Sequence, residues 1–232
     1  MFRFKQFAIR QENAAMKVGT DGALLGAWSD VNKANNILDI GTGTAIIAMM
    51  VAQRNSTALI TGIEIDERAL IDANFNVENC PWKDRVTIIQ TSLQEFTPAL
   101  KFDSIISNPP FFENSLKSNS GGKIKARHTD SLHYSDILNF ASNHLTDRGV
   151  MHLILPTENA KNCIEIAIEG GFYLKRICKV QPVPHKNAHR LVFELTKVAI
   201  PTITESLIIE TGKRHDYSQD YIKLTKAFYT IM

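Results

Sequence analysis

The sequence predicts an α/β protein with a doubly wound, mostly parallel sheet of seven strands and a short N-terminal strand and helix extension. From residue 36 onward, short apolar runs rich in β-branched residues alternate with helical segments. This alternation is typical of parallel sheets with helices on both faces. A tight Gly-Thr-Gly turn at 41–43 follows the first of these runs and opens a helix, as in many ligand-binding α/β proteins.

Length and composition favour one domain over residues 1–232, with an N-terminal extension at 1–35, a core at 36–200, and a C-terminal strand and helix at 201–232. No apolar run reaches the roughly 18 residues of a membrane span, and the N-terminus lacks a signal peptide's apolar core. Three widely spaced cysteines without a CxxC pair indicate reduced thiols in a cytoplasmic protein, with no zinc site. A net charge of +2 does not by itself indicate nucleic-acid binding.

The elements follow from local patterns. Alternating apolar and polar residues predict one half-buried strand at 2–10, and a Thr-Asp pair before an apolar run predicts a helix at 21–28. Apolar, β-branched runs predict the seven core strands at 37–40, 58–65, 86–90, 102–107, 149–155, 172–181 and 190–198. Helical periodicity predicts the remaining core helices at 45–54, 67–79, 135–145 and 158–169. The polar segment 113–130 is predicted to be a loop.

The turn at 39–44 reads Asp-Ile-Gly-Thr-Gly-Thr, and its Gly41 and Gly43 let the backbone approach a ligand. A dinucleotide fingerprint would require a third small residue where Ile46 stands, and Asp39 would repel a pyrophosphate. An acidic residue there favours a cationic ligand such as S-adenosylmethionine. Glu64, at the end of the next strand, can accept hydrogen bonds from ribose hydroxyls. The alternative is a plain strand-to-helix connection.

A second turn, Ser-Asn-Pro-Pro-Phe-Phe at 107–112, follows the fourth core strand. Two prolines forbid helix and further strand pairing, so the chain must leave the sheet in a stiff turn. The turn offers the side-chain amide of Asn108 and the carbonyl of Pro109 as acceptors, and the ring of Phe111 for stacking. These groups suit a planar ligand that carries an NH2 group. For Phe112, core packing is the favoured interpretation.

Together, the two turns resemble the class I S-adenosylmethionine-dependent methyltransferases that modify exocyclic or amide nitrogen. The resemblance implies a Rossmann-like fold, with Asn108 and Pro109 accepting the N–H groups of the target and Phe111 stacking on a base taken out of its stack. It also implies that Ser92 and Leu93 lie near the adenine ring of the cofactor. Many members have Asp where this chain has Ser92, which is a weaker acceptor.

The whole chain resembles the bacterial tRNA(Val) adenine-37 N6-methyltransferases, through residues 4–7, 16–28, 107–110, 216–218 and 228–229. This implies methyl transfer to N6 of adenine 37 in a tRNA. DNA adenine methyltransferases normally carry a large extra domain, and release-factor glutamine methyltransferases carry an N-terminal helical domain, whereas 36 residues precede the first core strand here. A protein glutamine-amide or rRNA base methyltransferase, and a non-catalytic nucleotide-binding module, remain as alternatives.

The resemblance also implies that the segment 17–22 closes over the cofactor, with Lys17 and Thr20 near its methionine end. Local basic clusters beside the acceptor turn suit phosphate contacts, although any one of them could be a solvated loop. The residues expected to contact tRNA are Lys123, Lys125, Arg127, Lys186 and Arg190. We expect no membrane, DNA, metal or obligate protein partner.

Overall fold

The protein is built around one eight-stranded sheet with helices on both faces. The structure, a computed structural model, describes residues 1–110 and 132–230. The strands within these residues are β1 (Phe2–Arg3), β2 (Ala8–Ile9), β3 (Asn36–Ile40), β4 (Leu59–Glu64), β5 (Val86–Gln90), β6 (Phe102–Ser107), β7 (Leu145–Pro156), β8 (Tyr173–Gln181), β9 (Arg190–Thr196) and β10 (Ile203–Ile208). The α-helices are α1 (Thr20–Trp28), α2 (Ile46–Arg54), α3 (Glu67–Glu78), α4 (Tyr134–His144), α5 (Thr157–Glu169) and α6 (Gln219–Thr225).

The large sheet has the strand order β10-β8-β9-β7-β6-β3-β4-β5. Only β9 runs antiparallel to its neighbours in this sheet, so the expectation of a mostly parallel α/β fold is confirmed. The predicted count of seven strands is wrong, because β10 joins the sheet in parallel with β8. It pairs along the outer edge of β8, whose backbone groups would otherwise lack partners in the sheet.

The prediction of a single strand at 2–10 is also wrong. The segment forms a short antiparallel pair, β1 with β2, joined by a turn in which the N–H of Phe4 donates to the carbonyl of Phe7 at 2.9 Å. In a continuous strand, residues three apart point to opposite faces. The turn instead lets the two rings stack at 4.6 Å between centroids, and both are buried.

Both faces of the central strands are buried. Ile37 belongs to one apolar core and its neighbour Leu38 to the other, as the period of two along a strand requires. Helices α1 and α2 cover the first face, and α4 and α5 cover the second. Seven residues of α2, from Ile46 to Ala52, are buried, which matches the almost wholly apolar segment in the sequence.

The described helices are short, and none is both long and apolar enough to cross a membrane. The three cysteines, Cys80, Cys163 and Cys178, are free thiols and all are buried.

The topology fixes where a ligand site can form. Strands β6, β3, β4 and β5 are neighbours and run parallel, so their carboxyl ends meet at one edge. The chain proceeds from β3 to β4 and β5 on one side and then returns to β6 on the other. The crevice outside β3 and β6 is therefore the switch point at which doubly wound sheets bind ligands.

Candidate functional site

Both sequence-predicted turns lie at this switch point. Residues 41–44 follow β3, and Asn108 follows β6, its neighbour in the sheet. The hydroxyl of Ser107 donates to the carbonyl of Ile40 at 2.9 Å and is fully buried. This bond ties the ends of the two strands together, so it sets the position of Asn108 against the glycine turn.

The glycine turn depends on left-handed backbone. Gly41 and Gly43 have φ of 66° and 57°, a region that side chains rarely adopt. The N–H groups of Gly41 and Thr42 both donate to the carbonyl of Ile63 at 3.0 Å, which anchors the turn to β4. A Cβ built on Gly43 would meet no atom within 4 Å. Glycine is therefore needed there for its φ, and the space beside it is open to a ligand.

Asp39 supports this turn from beneath. Its carboxylate is buried, and Oδ2 accepts from the hydroxyl of Thr42 at 2.6 Å, while Oδ1 has no hydrogen-bond partner among the described residues. Burial raises its pKa to about 7, against the opposing effect of the Thr42 hydroxyl. Asp39 does not line either of the two cavities at the site, so its contact with a cationic ligand remains a prediction.

Glu64 links the turn to the end of β4. Its Oε2 accepts from the N–H of Gly43 at 2.8 Å, and Oε1 accepts from the N–H groups of Ile65 and Asp66 at 2.9 and 3.0 Å. Backbone donors thus fix the carboxylate in the wall of a cavity. Asp66 caps α3 by accepting from the N–H of Arg68 at 2.9 Å.

The first cavity has a volume of about 230 Å³ and lies outside β3, β4 and β5. The side chain of Ile65 remains 53% exposed beside it, so an apolar surface is available to a flat ligand. The lining residues are 14–16, 40, 41, 43, 63–66, 69, 91–94, 108–110 and 132. They include the predicted residues Ser92, Leu93 and Pro109.

The second cavity has a volume of about 360 Å³ and lies on the other side of the glycine turn. It is lined by residues 16, 17, 19–22, 41–44, 46, 47, 108, 189 and 190. Helix α1 starts here at Thr20, with Gly19 as its cap and no side-chain cap bond. The free N–H groups of a helix start favour an anionic ligand group.

Asn108 lines both cavities. Its side-chain oxygen Oδ1 is buried and has no hydrogen-bond partner among the described residues. A buried acceptor of this kind costs about 1–3 kcal/mol when it stays unpaired. A ligand that brings an N–H donor to this wall would remove that cost.

The N-terminal segment is held over the first cavity by α3. Asp72, fully buried, accepts from the N–H groups of Asn13 and Ala14 at 2.7 and 2.9 Å. Lys17 lines the second cavity, and its ammonium donates to the carbonyls of Gln11 and Ala14 at 2.6 and 3.0 Å. The charge of Lys17 therefore closes the loop 11–17, which shapes the edge that the two cavities share.

The predicted RNA-contacting residues fall in two groups. Phe111 and the basic residues Lys123, Lys125 and Arg127 lie outside the described residues. Lys186 is exposed in the loop between β8 and β9, whereas Arg190 lines the second cavity and its Nε donates to Oδ2 of Asp21 at 2.8 Å.

Sequence reasoning missed three parts of the site. It did not identify Ser107 as the link between strands, because a serine that ends an apolar strand has no distinctive pattern. It did not pair Asp21 with Arg190, which lie 169 positions apart. It took Ile65 only as a strand residue, although a large apolar side chain directly after Glu64 could have been recognised as a wall for a flat ligand.

The comparisons with known proteins agree with this geometry. The family model described as "Methyltransferase small domain" matches residues 15–169. A tRNA1(Val) (adenine(37)-N6)-methyltransferase of Trichodesmium erythraeum is 45% identical over 98% of this chain and 97% of its own length. The protein of the same name from Vibrio campbellii is 40% identical over 100% of this chain and 96% of its own length.

Solved structures share the fold at low identity. A predicted O-methyltransferase from Agrobacterium tumefaciens has a TM-score of 0.70 at 19% identity and covers 90% of this chain and 96% of its own. A TehB-like SAM-dependent methyltransferase from Corynebacterium glutamicum has a TM-score of 0.51 at 17% identity, covering 78% and 89%. The resemblance inferred from the two turns and from stretches along the whole chain is thus confirmed: the chain belongs to the methyltransferase small domain family and, within it, to the tRNA1(Val) (adenine(37)-N6)-methyltransferases.

Proposed function

We propose that this protein transfers a methyl group from S-adenosylmethionine to the exocyclic N6 of adenine 37 in a tRNA(Val). The observation that carries the proposal is Oδ1 of Asn108, which is buried in the wall between the two cavities and has no hydrogen-bond partner among the described residues. An exocyclic amine supplies the donor that this oxygen lacks. The adenine and its tRNA come from the names of full-length relatives at up to 45% identity.

The residues present fit the cofactor. The first cavity offers the carboxylate of Glu64 for ribose hydroxyls, the exposed face of Ile65 for a flat ring, and Ser92 and Leu93 for the edge of that ring. At the second cavity, the start of α1 at Thr20 suits the methionine carboxylate. When bound, S-adenosylmethionine supplies a methyl group on a positively charged sulfur.

The acceptor chemistry follows from the turn after β6. The lone pair of an aryl amine is delocalised into its ring, which makes the nitrogen a poor nucleophile. Asn108 Oδ1 and the carbonyl of Pro109 would accept its two N–H groups, which favours a pyramidal nitrogen with a directed lone pair. The protein then needs no strong base, because the nitrogen becomes acidic only after it carries the methyl group. Positioning and electrostatics supply most of the rate.

For the tRNA, the loop 182–189 is the candidate contact surface among the described residues. Arg190 follows it at the second cavity, and Lys186 is exposed within it. The N–H of Glu210 donates to the carbonyl of Pro182 at 2.9 Å, and Oε1 of Glu210 accepts from the N–H of His215 at 2.9 Å, which joins this loop to the basic turn at 213–215. We also propose tRNA contacts for Lys123, Lys125 and Arg127, which lie outside the described residues. A tRNA substrate implies that the protein acts in the cytoplasm.

Replacing Asn108 by Ala tests the proposal. We expect kcat for unmodified tRNA to fall by about 10²–10³-fold, the usual cost of losing one positioned polar contact in the transition state. The Kd for S-adenosylmethionine should change little. Asn143→Ala, on an exposed site of α4, is the matched control and should leave both values unchanged. Normal turnover by Asn108→Ala would remove the basis of the assignment.

Charge reversal tests the RNA surface. Lys186→Glu should raise the KM for tRNA and make its salt dependence shallower, because log K changes with log salt by roughly 0.7–0.9 per phosphate contact. Lys33→Glu, exposed just before β3 at the opposite edge of the sheet, is the control. An unchanged KM and salt slope for Lys186→Glu would rule out the loop.

A further inference from the structure

A band of basic side chains follows α6 and the N-terminal hairpin of β1 and β2. The six side chains of this basic band are all exposed: Arg3, Lys5, Lys213, Arg214, Lys223 and Lys226. Residues 1–5 and 210–226 contain three carboxylates against these six cations, which gives the band a net charge of +3. The whole chain carries only +2, so positive charge is concentrated here.

The opposite face of the sheet has the reverse charge. Helices α4 and α5, which cover that face, contain four carboxylates and one lysine, and so have a net charge of −3. A phosphate backbone that lies along the protein is therefore attracted to the band and repelled from α4 and α5. Within the described residues, Lys213, Lys223 and Lys226 form no ion pair, so their charges are available to a ligand.

The contacts of α6 show how far the band extends from the site. β10 runs in the same direction as β3 and β6, so its carboxyl end lies at the edge of the sheet that carries the site. There the N–H of Ser218, which caps α6, donates to the carbonyl of Ile209 at 2.9 Å. Beyond the other end of α6, the carbonyl of Ala227 accepts from Gln53 at 2.9 Å, near the far end of α2. The seven residues of α6 rise about 10 Å, so the lower half of the band lies about that far from the site edge.

The hairpin is fixed against the lower end of the band. The N–H of Lys5 donates to the carbonyl of Phe228 at 2.7 Å, and its ammonium donates to the carbonyl of Lys226 at 2.5 Å. Phe4, Tyr221 and Phe228 are buried in the core beneath. Because these rings face inward, the band presents charges rather than stacking surfaces. Such a surface suits the phosphates of a base-paired helix better than unpaired bases.

We propose that the basic band binds the phosphates of the base-paired stem next to the target loop of the tRNA. The loop 182–189 and the two cavities receive the target loop and its adenine, while the band holds the stem about 10 Å away. Phosphate contacts position the RNA without reading its sequence. The inference rests on the proposed function in taking tRNA as the substrate.

The test measures binding and turnover of unmodified tRNA(Val) by Lys223→Glu combined with Lys226→Glu. These changes keep the carbonyl that accepts from Lys5. We expect Kd and KM at about 0.1 M salt to rise at least about tenfold, and the salt slope to become shallower by about 1.4–1.8, the value of two phosphate contacts. The kcat should stay at the wild-type value, because neither lysine reaches the reacting atoms.

The control has the same change of charge elsewhere on the surface. Lys101→Glu combined with Lys161→Glu changes exposed residues at the amino end of β6 and on α5, and it should keep the wild-type Kd and salt slope. If charge reversal destabilises the fold in urea, Lys223→Ala combined with Lys226→Ala tests the same contacts. A Kd and slope that stay at the wild-type values in the band variants, or that change equally in the control, would overturn the inference.

Ethylation interference shows which phosphates the band contacts. In wild type, ethylation of stem phosphates should weaken binding, and the band variant should lose this effect while keeping the interference in the loop. Interference confined to the loop in wild type would overturn the inference.

Binding and turnover also separate this inference from the proposed function. Wild type that binds the stem through the band but transfers no methyl group to the tRNA would overturn the proposed function alone. Methyl transfer to the tRNA with an unchanged KM in the band variant would overturn this inference alone. Failure of wild type to bind the tRNA would overturn both.

Discussion

Without ligand, the free energy of unfolding of Asp39→Asn should exceed that of wild type by an amount that grows as the pH rises. Asn keeps the size of the side chain and an oxygen that can accept from the hydroxyl of Thr42, but it carries no charge. The wild-type carboxylate is buried beneath the glycine turn with one oxygen unpaired among the described residues. Ionising Asp39 in that position costs free energy, and the variant avoids this cost.

The structure gives the size and sign of the effect. Burial raises the pKa of Asp39 from 3.8 to about 7, with the Thr42 hydroxyl opposing and the charge of Glu64 adding to the rise. Between pH 5 and 7 the folded protein therefore keeps a proton that the unfolded chain has released. A folded state that binds more protons loses stability as the pH rises. At about 1.4 kcal/mol per unit of pKa, wild type should lose about 2 kcal/mol across this window relative to Asp39→Asn.

The assay is urea unfolding of wild type and Asp39→Asn at pH 5, 6, 7 and 8, without ligand. Comparing the two proteins at each pH cancels the other titrating groups. Asp84→Asn, at an exposed position, is the control for the removal of one surface carboxylate. A constant difference between wild type and Asp39→Asn would show that the buried carboxyl titrates at its ordinary pKa, which would refute the reasoning.

Two further predictions concern the scaffold of the site. Gly62→Ala would place a Cβ 2.8 Å from Ile88 Cδ1 and 3.0 Å from Thr42 Cγ2, and we expect a loss of about 1–3 kcal/mol in urea unfolding; an unchanged midpoint would contradict this. Asp72→Ala leaves the N–H groups of Asn13 and Ala14 without their acceptor, which costs about 1–3 kcal/mol for each group that stays buried. It should also raise the Kd for S-adenosylmethionine, because Ala14 lines the first cavity, and an unchanged Kd would show that the segment does not need this anchor.

The sequence predicted the site best where chemistry is local. The glycine turn at 41–43 and the Asn-Pro-Pro turn from 108 each follow an apolar strand, and parallel strands bring their carboxyl ends to one edge. The closeness of the two turns at this edge therefore followed from the strand topology alone. The boundaries of β5 and β6 were predicted to the residue, because charged, polar or proline-containing segments bound these short apolar runs.

Features that depend on distant partners could not be predicted. β10 joins the sheet because β8 offers an edge, and nothing in residues 203–208 alone specifies that edge. The pairing of Asp21 with Arg190 depends on the packing of α1 beside β9. Asp39 looked like a ligand contact from its position, yet whether its carboxylate points into a cavity or beneath the turn is a matter of side-chain direction, which spacing does not fix.

The role of Asn108 in holding an adenine amino group for methyl transfer can be tested by mapping where the methyl group goes. The protein is incubated with methyl-labelled S-adenosylmethionine and tRNA(Val) that lacks the modification, and the tRNA is digested and mapped by mass spectrometry. This assignment predicts one labelled methyl group on N6 of adenine 37 with wild type, and labelling at least about a hundredfold slower with Asn108→Ala. Label on a guanine, or transfer to a glutamine of a release factor but not to the tRNA, would contradict it.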